Sequence, residues 1–275
     1  MKKNNTLPSL YLLLICILAC SYDSFAQSPD ISTIEPSTPS ASAFTTFFTK
    51  NTAYQARAQF SIGGSTPLGI PAQIREINSY NPTLQLGLEV NATKWFTDDQ
   101  TWGIRTGLRF EGRGMRTDAR VKNYYTQIDG EEGKQTKGYF TGNVKTKMKN
   151  SYITFPVLAV YNVNSKWNVY GGVYLSGLID GDFTGYVYEG VLREGNPIGT
   201  PIEFEEDAKG EYDFSSELNR FQWGAELGFE YKVNSQFRLF SDLNWGLNGL
   251  FKKDFEAITF NMYSIYLNLG FGYQF

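Results

Sequence analysis

Glu226 and Glu230 stand four residues apart in GAELGFEYK, and paired carboxylates are common tools of acid–base chemistry. Arg105 and Arg109 repeat that spacing in WGIRTGLRFE, which ends in Glu111. Brought together, such groups could move a proton, hold a cation or bind an anion. The usual helpers of catalysis are missing. The chain has no histidine, the general base of most acyl-transfer and peptide-cleaving enzymes. Both of its cysteines, Cys16 and Cys20, lie in an N-terminal segment that reads as cleaved on export. The acidic run EFEEDAKGEYD (203–213) lacks the ligand spacing of a calcium loop and reads as a solvated acidic segment. The expectation is therefore no enzyme, no metal and no cofactor, with the charged groups serving one another.

The elements that must position these charges follow a two-residue beat. YQARAQFSIG (54–63), LQLGLEVNA (84–92), WGIRTGLRFE (102–111) and FQWGAELGFEYKV (221–233) each place apolar residues on every second position. So do YITFPVLAVYNV (152–163), WNVYGGVYLSGLI (167–179), FRLFSDLNWGL (237–247) and the terminal stretch 262–275. Arg57, Glu89, Arg105, Arg109, Glu111, Glu226, Glu230, Lys232, Arg238 and Asp242 are the charged residues inside these eight segments, and none shares the apolar face. Five are basic and five acidic, so this set can neutralise itself.

Connections alternate in length. Those at 93–101, 164–166 and 234–236 are short, whereas 64–83, 112–151, 180–220 and 248–261 are longer. Aromatic residues flank each short turn: Phe96 and Trp102, Tyr161 and Trp167, Tyr231 and Phe237. The chain itself ends on Phe275. This is the pattern of an eight-stranded antiparallel transmembrane β-barrel, all-β, with short periplasmic turns, long extracellular loops and an aromatic girdle. A terminal strand that alternates to its last residue suits a sheet that must close, because an open edge in hydrocarbon leaves amides without partners. A soluble, lipocalin-like barrel would reverse the faces. It would have to enclose Trp102, Trp223, Phe229 and Trp245, more than eight strands can hold, and its exterior would be poor in charge.

The N-terminus supplies the route. Lys2 and Lys3 precede an apolar run at 10–19 that is too short to span a bilayer, and SFA before Gln27 suits signal peptidase. Residues 1–26 read as a signal peptide and 27–53, rich in Ser, Thr and Pro, as a disordered leader before the barrel domain at 54–275. The alternative is cleavage before Cys20, within ILAC, with that cysteine acylated. A net charge of −3 argues against a nucleic-acid partner.

The chain resembles the small outer-membrane barrels of Bacteroidota, the PorT-like family, in YITFPVL (152–158), the turn at 164–166, the following WNVYGGVYLSGLI and the Phe-ended last strand. The resemblance implies a cell outer-membrane location, insertion by the barrel-assembly machinery and, through PorT, an accessory part in type IX protein secretion. Pro156 inside a strand predicts a local bulge.

The charged face is expected to point inward as a salt-bridged plug, because eight strands leave an interior just wide enough for side chains to fill. Loop 112–150 carries nine basic and four acidic residues, and loop 180–220 three basic and eleven acidic. These neighbours are expected to attract and fold over the barrel mouth together, and stretches within them (NYYTQI, KGYFTG, TGYVYEG) suggest a sheet rising above the membrane. Lys145, Lys147, Lys149, Arg116, Arg120 and Lys122 continue the lipid-facing parity above the oily zone, where they could meet lipopolysaccharide phosphates. The expected role is non-catalytic: stabilising the envelope or binding an extracellular protein through the loops. The alternatives are secretion, and a small passive channel or solute binder.

Overall fold

The computed structural model describes residues 49–129, 135–205 and 208–275. The expected signal peptide, all but the end of the leader, and Glu131, Glu132, Lys134, Glu206 and Asp207 of the loops lie outside the described residues. The strands are β1 (Thr52–Pro67), β2 (Ile74–Asn81), β3 (Gln85–Trp95), β4 (Trp102–Asp129), β5 (Gln135–Asn162) and β6 (Trp167–Glu194). Then come β7 (Pro201–Phe204), β8 (Gly210–Asp213), β9 (Phe221–Lys232), β10 (Phe237–Gly246) and β11 (Met262–Gln274).

Eight of these close into an antiparallel barrel in the order β1–β3–β4–β5–β6–β9–β10–β11, with β11 returning to β1. The terminus is part of the closure: Phe271 stands opposite Ala58, and the Phe275 amide donates to the Tyr54 carbonyl at 3.0 Å. Leu86, Leu88, Leu108, Phe110, Val173, Leu227, Phe271 and their outward neighbours are exposed, an apolar belt that water would penalise and hydrocarbon accepts. No helix among the described residues is long and apolar enough to cross a membrane. At the periplasmic end the girdle pairs up, Trp102 with Tyr161 at 4.6 Å and Trp167 with Tyr231 at 4.8 Å.

Pro156 produces no bulge. The β4–β5 register is the same on either side of it, and β5–β6 runs through it as Pro156 opposite Tyr174. The Thr106 hydroxyl donates to the Pro156 carbonyl at 3.0 Å. Proline thus costs the ladder a donor without displacing the strand.

Above the membrane the long connections continue as sheet, through the strand-like stretches NYYTQI, KGYFTG and TGYVYEG. β4, β5 and β6 each run for 28 residues, and β2, β7 and β8 add short partners to β4 and β6. The segments 112–151 and 180–220 meet mainly as the paired upper halves of β5 and β6. Inside this head lies an apolar core of Met115, Val121, Phe140, Val144, Met148, Phe183, Val187 and Leu192, topped by Leu250 and Ile258. The three long strands bend at one level. Asn123 has φ +54°, Glu189 has φ +44°, and Gly142 (φ +155°) and Gly190 approach so closely that a Cβ on either would sit 2.7 Å from the other's Cα.

Candidate functional site

Inward-facing positions of the barrel carry the charges, stacked along its axis. Nearest the periplasm, Glu230 accepts from Arg57 at 2.6 Å, Gln55 and Asn168 at 3.2 Å, and is paired with Arg105 at 3.4 Å. Arg238 lies 3.9 Å from the same carboxylate and also donates to the Ser235 carbonyl and Gln274. The guanidinium of Arg57 lies over the Phe240 ring, 4.4 Å from its centre.

The middle layer centres on Arg109, which is fully buried. Its Nε donates to Glu89 at 2.5 Å, and its two terminal nitrogens grip both oxygens of Glu226 at 3.0 Å. Asp242, on neighbouring β10, accepts from Asn268 at 2.6 Å and from the Tyr170 hydroxyl at 3.1 Å.

In the top layer Glu111 accepts from Thr154 at 2.7 Å and from Arg113 at 2.8 Å. Arg113 lies beneath a roof of tyrosines, 4.8 Å from the Tyr152 ring and 5.2 Å from that of Tyr174. Sequence reasoning missed Arg113. It extends the inward parity of Arg105, Arg109 and Glu111, but its outward neighbours Gly112 and Gly114 no longer mark a lipid face.

Lys232 stands apart from the network. It is half-buried near the periplasmic end and donates to Asn162 at 3.2 Å. The other nine named interior charges are buried. Glu226 and Glu230, whose spacing first suggested acid–base work, are each held by arginine and shut away from solvent. Among the described residues no group of three or more His, Cys, Asp or Glu is placed to hold a metal.

The external cations have company. Lys145 pairs with Asp118 at 3.5 Å and lies over the Tyr188 ring at 4.8 Å, and Lys147 pairs with Asp182 at 3.0 Å. The Tyr188 hydroxyl donates to Asp118 at 2.9 Å; burial first, then that carboxylate, pushes its pKa up to about 12, so it remains a donor. Arg116, Arg120, Lys122 and Lys149 are exposed. Arg116 stands directly opposite Lys147 across β4 and β5, two like charges of which Lys147 is already met by Asp182, so a further anion would serve Arg116.

A family model described as "Outer membrane protein beta-barrel domain" matches residues 25–252. No curated protein matches. Among solved structures, Ail, the attachment invasion locus protein of Yersinia pestis, is similar at 11% identity, covering 82% of this chain and 97% of its own, with a TM-score of 0.35. Neisserial surface protein A is similar at 13% identity, with 82% and 97% covered and a TM-score of 0.29. OprG of Pseudomonas aeruginosa is similar at 14% identity, with 81% and 95% covered and a TM-score of 0.29.

Proposed function

The chain belongs to the outer-membrane protein β-barrel domain family and is an integral outer-membrane barrel; from that premise we propose that it is a non-catalytic anchor whose interior is closed and whose working surface is the extracellular head. The observation that carries this reading is the Arg109 layer. A fully buried guanidinium with three hydrogen bonds to two carboxylates supports an interior filled by its own paired charges. Purified protein in planar bilayers is expected to give no single-channel steps. Steady ohmic steps that vanish on heat denaturation would overturn the closed interior and favour the passive channel.

The head meets the outer leaflet through cations. Lys149 and the opposed Arg116 and Lys147 lie just above the last lipid-facing residues of β4 and β5, Phe110 and Ile153, a level that would suit lipopolysaccharide phosphates. In this reading a phosphate joins Arg116 and Lys149, shares Lys147 with Asp182, and steadies the head on the membrane. Replacing Arg116, Lys147 and Lys149 with Gln should lower the lipopolysaccharide retained through purification severalfold, while the heat-dependent gel shift of the folded barrel persists. Retention at the parent level would end this part of the reading.

Among the described residues β7 pairs with β6 alone, an edge that could take an extracellular protein strand. The same edge favours a second reading, the secretion accessory implied by the PorT-like resemblance. Normal export of cargo proteins in a deletion strain would count against it.

A further inference from the structure

β2 and β3 both run antiparallel to β4, but only β3 also pairs with β1. The β1–β3 ladder ends at Ser61 opposite Gln85. Beyond it, β1 continues to Pro67 paired with β11 on one side only, while β2 pairs with β4 on its far side. β1 and β2 therefore diverge as a wedge in the barrel wall. Its foot lies beside exposed Ile62, Leu84 and Leu86, the upper rim of the lipid-facing belt.

Behind the wedge is a cavity of about 400 Å³. Met115, Val121, Val144, Phe183, Ile258 and Met262 form its inner wall, and Ile77 and Tyr80 of β2, both half-exposed, stand at its mouth. None of its lining residues is charged. Its size falls in the range of about 300–1,000 Å³ usual for small-molecule pockets.

Two details mark the wedge as a closed seam. The buried Ser65 amide, on the edge of β1 that lacks a strand partner, donates to the Met115 thioether at 3.3 Å, a weak acceptor. Gly64 faces Tyr80 so closely that a Cβ there would lie 3.0 Å from the Tyr80 hydroxyl and 2.9 Å from Met115 Sδ. Tyr80 thus lies across the gap, held at one end of its own short strand.

We propose that the cavity receives one hydrocarbon chain of an outer-leaflet lipid, which bends upward from the belt at the foot of the β1–β2 wedge and passes Tyr80. Continuity decides the occupant: the foot of the wedge joins the lipid belt, its mouth is apolar, and the cavity it leads to is lined by uncharged, largely apolar residues. The inference goes beyond the proposed function and stands whether or not the barrel interior conducts.

The test uses the full chain in lipid nanodiscs containing a trace of phosphatidylethanolamine with a diazirine near the end of one acyl chain. After illumination, mass spectrometry maps the adducts. Expected are adducts on segments around Met115 and 258–262, besides those on the outer belt. Ala119→Trp, which fills the cavity, and Gly64→Leu, which blocks the seam, should each reduce the head adducts about tenfold and leave the belt adducts unchanged. The heat-dependent gel shift reports folding of each variant. Should either fail to fold, competition by excess unlabelled lipid against the native protein separates a saturable site from random contact. Adducts confined to the belt, or head adducts that resist both competition and a folded variant, would overturn the proposal.

Discussion

Below Arg113, strands β4, β5 and β6 turn Arg105, Arg109, Thr154, Asn168 and Ser176 inward and Leu108, Phe155 and Val173 outward. Above it the same strands turn Met115, Val144, Met148, Phe183 and Val187 inward, and Arg116, Lys147 and Lys149 outward. On β4 the parity never changes between Arg105 and Met115; only the chemistry of the two faces does. The change comes where the surroundings pass from hydrocarbon to water. A barrel wall in lipid needs its apolar side outside and must satisfy its polar side internally, whereas a sheet in water needs the reverse. One continuous hydrogen-bonded ladder serves both, because backbone pairing is indifferent to which face is greasy.

The two halves should fail differently, and the interior should fail hardest. Arg109→Met removes the partner of Glu89 and Glu226 while keeping much of the volume. Glu226 would remain buried without its cation and Glu89 would keep only Arg57, 3.8 Å away, at a cost on the order of 3–5 kcal/mol. Urea unfolding followed by the gel shift should show it. Replacing Glu89 and Glu226 with Gln in the same chain should recover most of the loss, since neutral amides need no counter-ion. If Arg109→Met alone is as stable as the parent, the interior is wetter than its burial indicates.

The head should break by the ordinary rule of a soluble core. Phe140 is fully buried between strands and packs at 6.1 Å against the Phe204 ring. Phe140→Ala should cost about 3–5 kcal/mol. The loss should fall on the head alone, because the ladder below Arg113 is closed by eight strands without it. Limited proteolysis should then cut within 112–151 or 180–220 while the barrel keeps its gel shift. Joint loss of both would mean that the regions fold as one unit.

What could be read from sequence follows the same division. The barrel was legible because the bilayer imposes one rule on every strand, so Leu84 to Ala92 or Phe221 to Val233 declare themselves by alternation alone. The inward charges followed by elimination, although parity could not say that Arg109 would take two glutamates or that Lys232 would stand apart. Strand-like stretches hinted at the head, but irregularity hid its register and its core. Register shifts fall between Val121 and Tyr124 on β4 and between Thr141 and Asn143 on β5, and β6 slips between Leu178 and Asp180. That last slip moves the inward set of β6 from Tyr170, Tyr174 and Ser176 to Phe183 and Val187, which breaks a two-residue beat. Arg113 fell on the border, where glycines replaced the outward apolar residues. The wedge between β1 and β2 depends on which strands pair, and no local pattern carries that.

The smallest effect concerns the outer face of the head, where water weakens every charge. Asp182 accepts from Lys147 at 3.0 Å and from Thr184 at 2.8 Å. Partial burial raises its pKa, but these donors outweigh it and hold the carboxylate below the usual aspartate range. A depressed acid adds stability above its unfolded pKa of about 4, and loses it as the pH falls through the lower native value. The pair is partly exposed, so the contribution should be no more than about 0.5 kcal/mol. Proteolytic susceptibility of the head at pH 7 and pH 3, compared between the parent and Asp182→Asn, isolates this group from the others that titrate. The parent should lose a few tenths of a kcal/mol more than the variant across that interval. Equal losses would mean that Lys147 is not held by Asp182 in solution and is free for an anion beside Arg116, which would sharpen the contrast with the locked arginines inside.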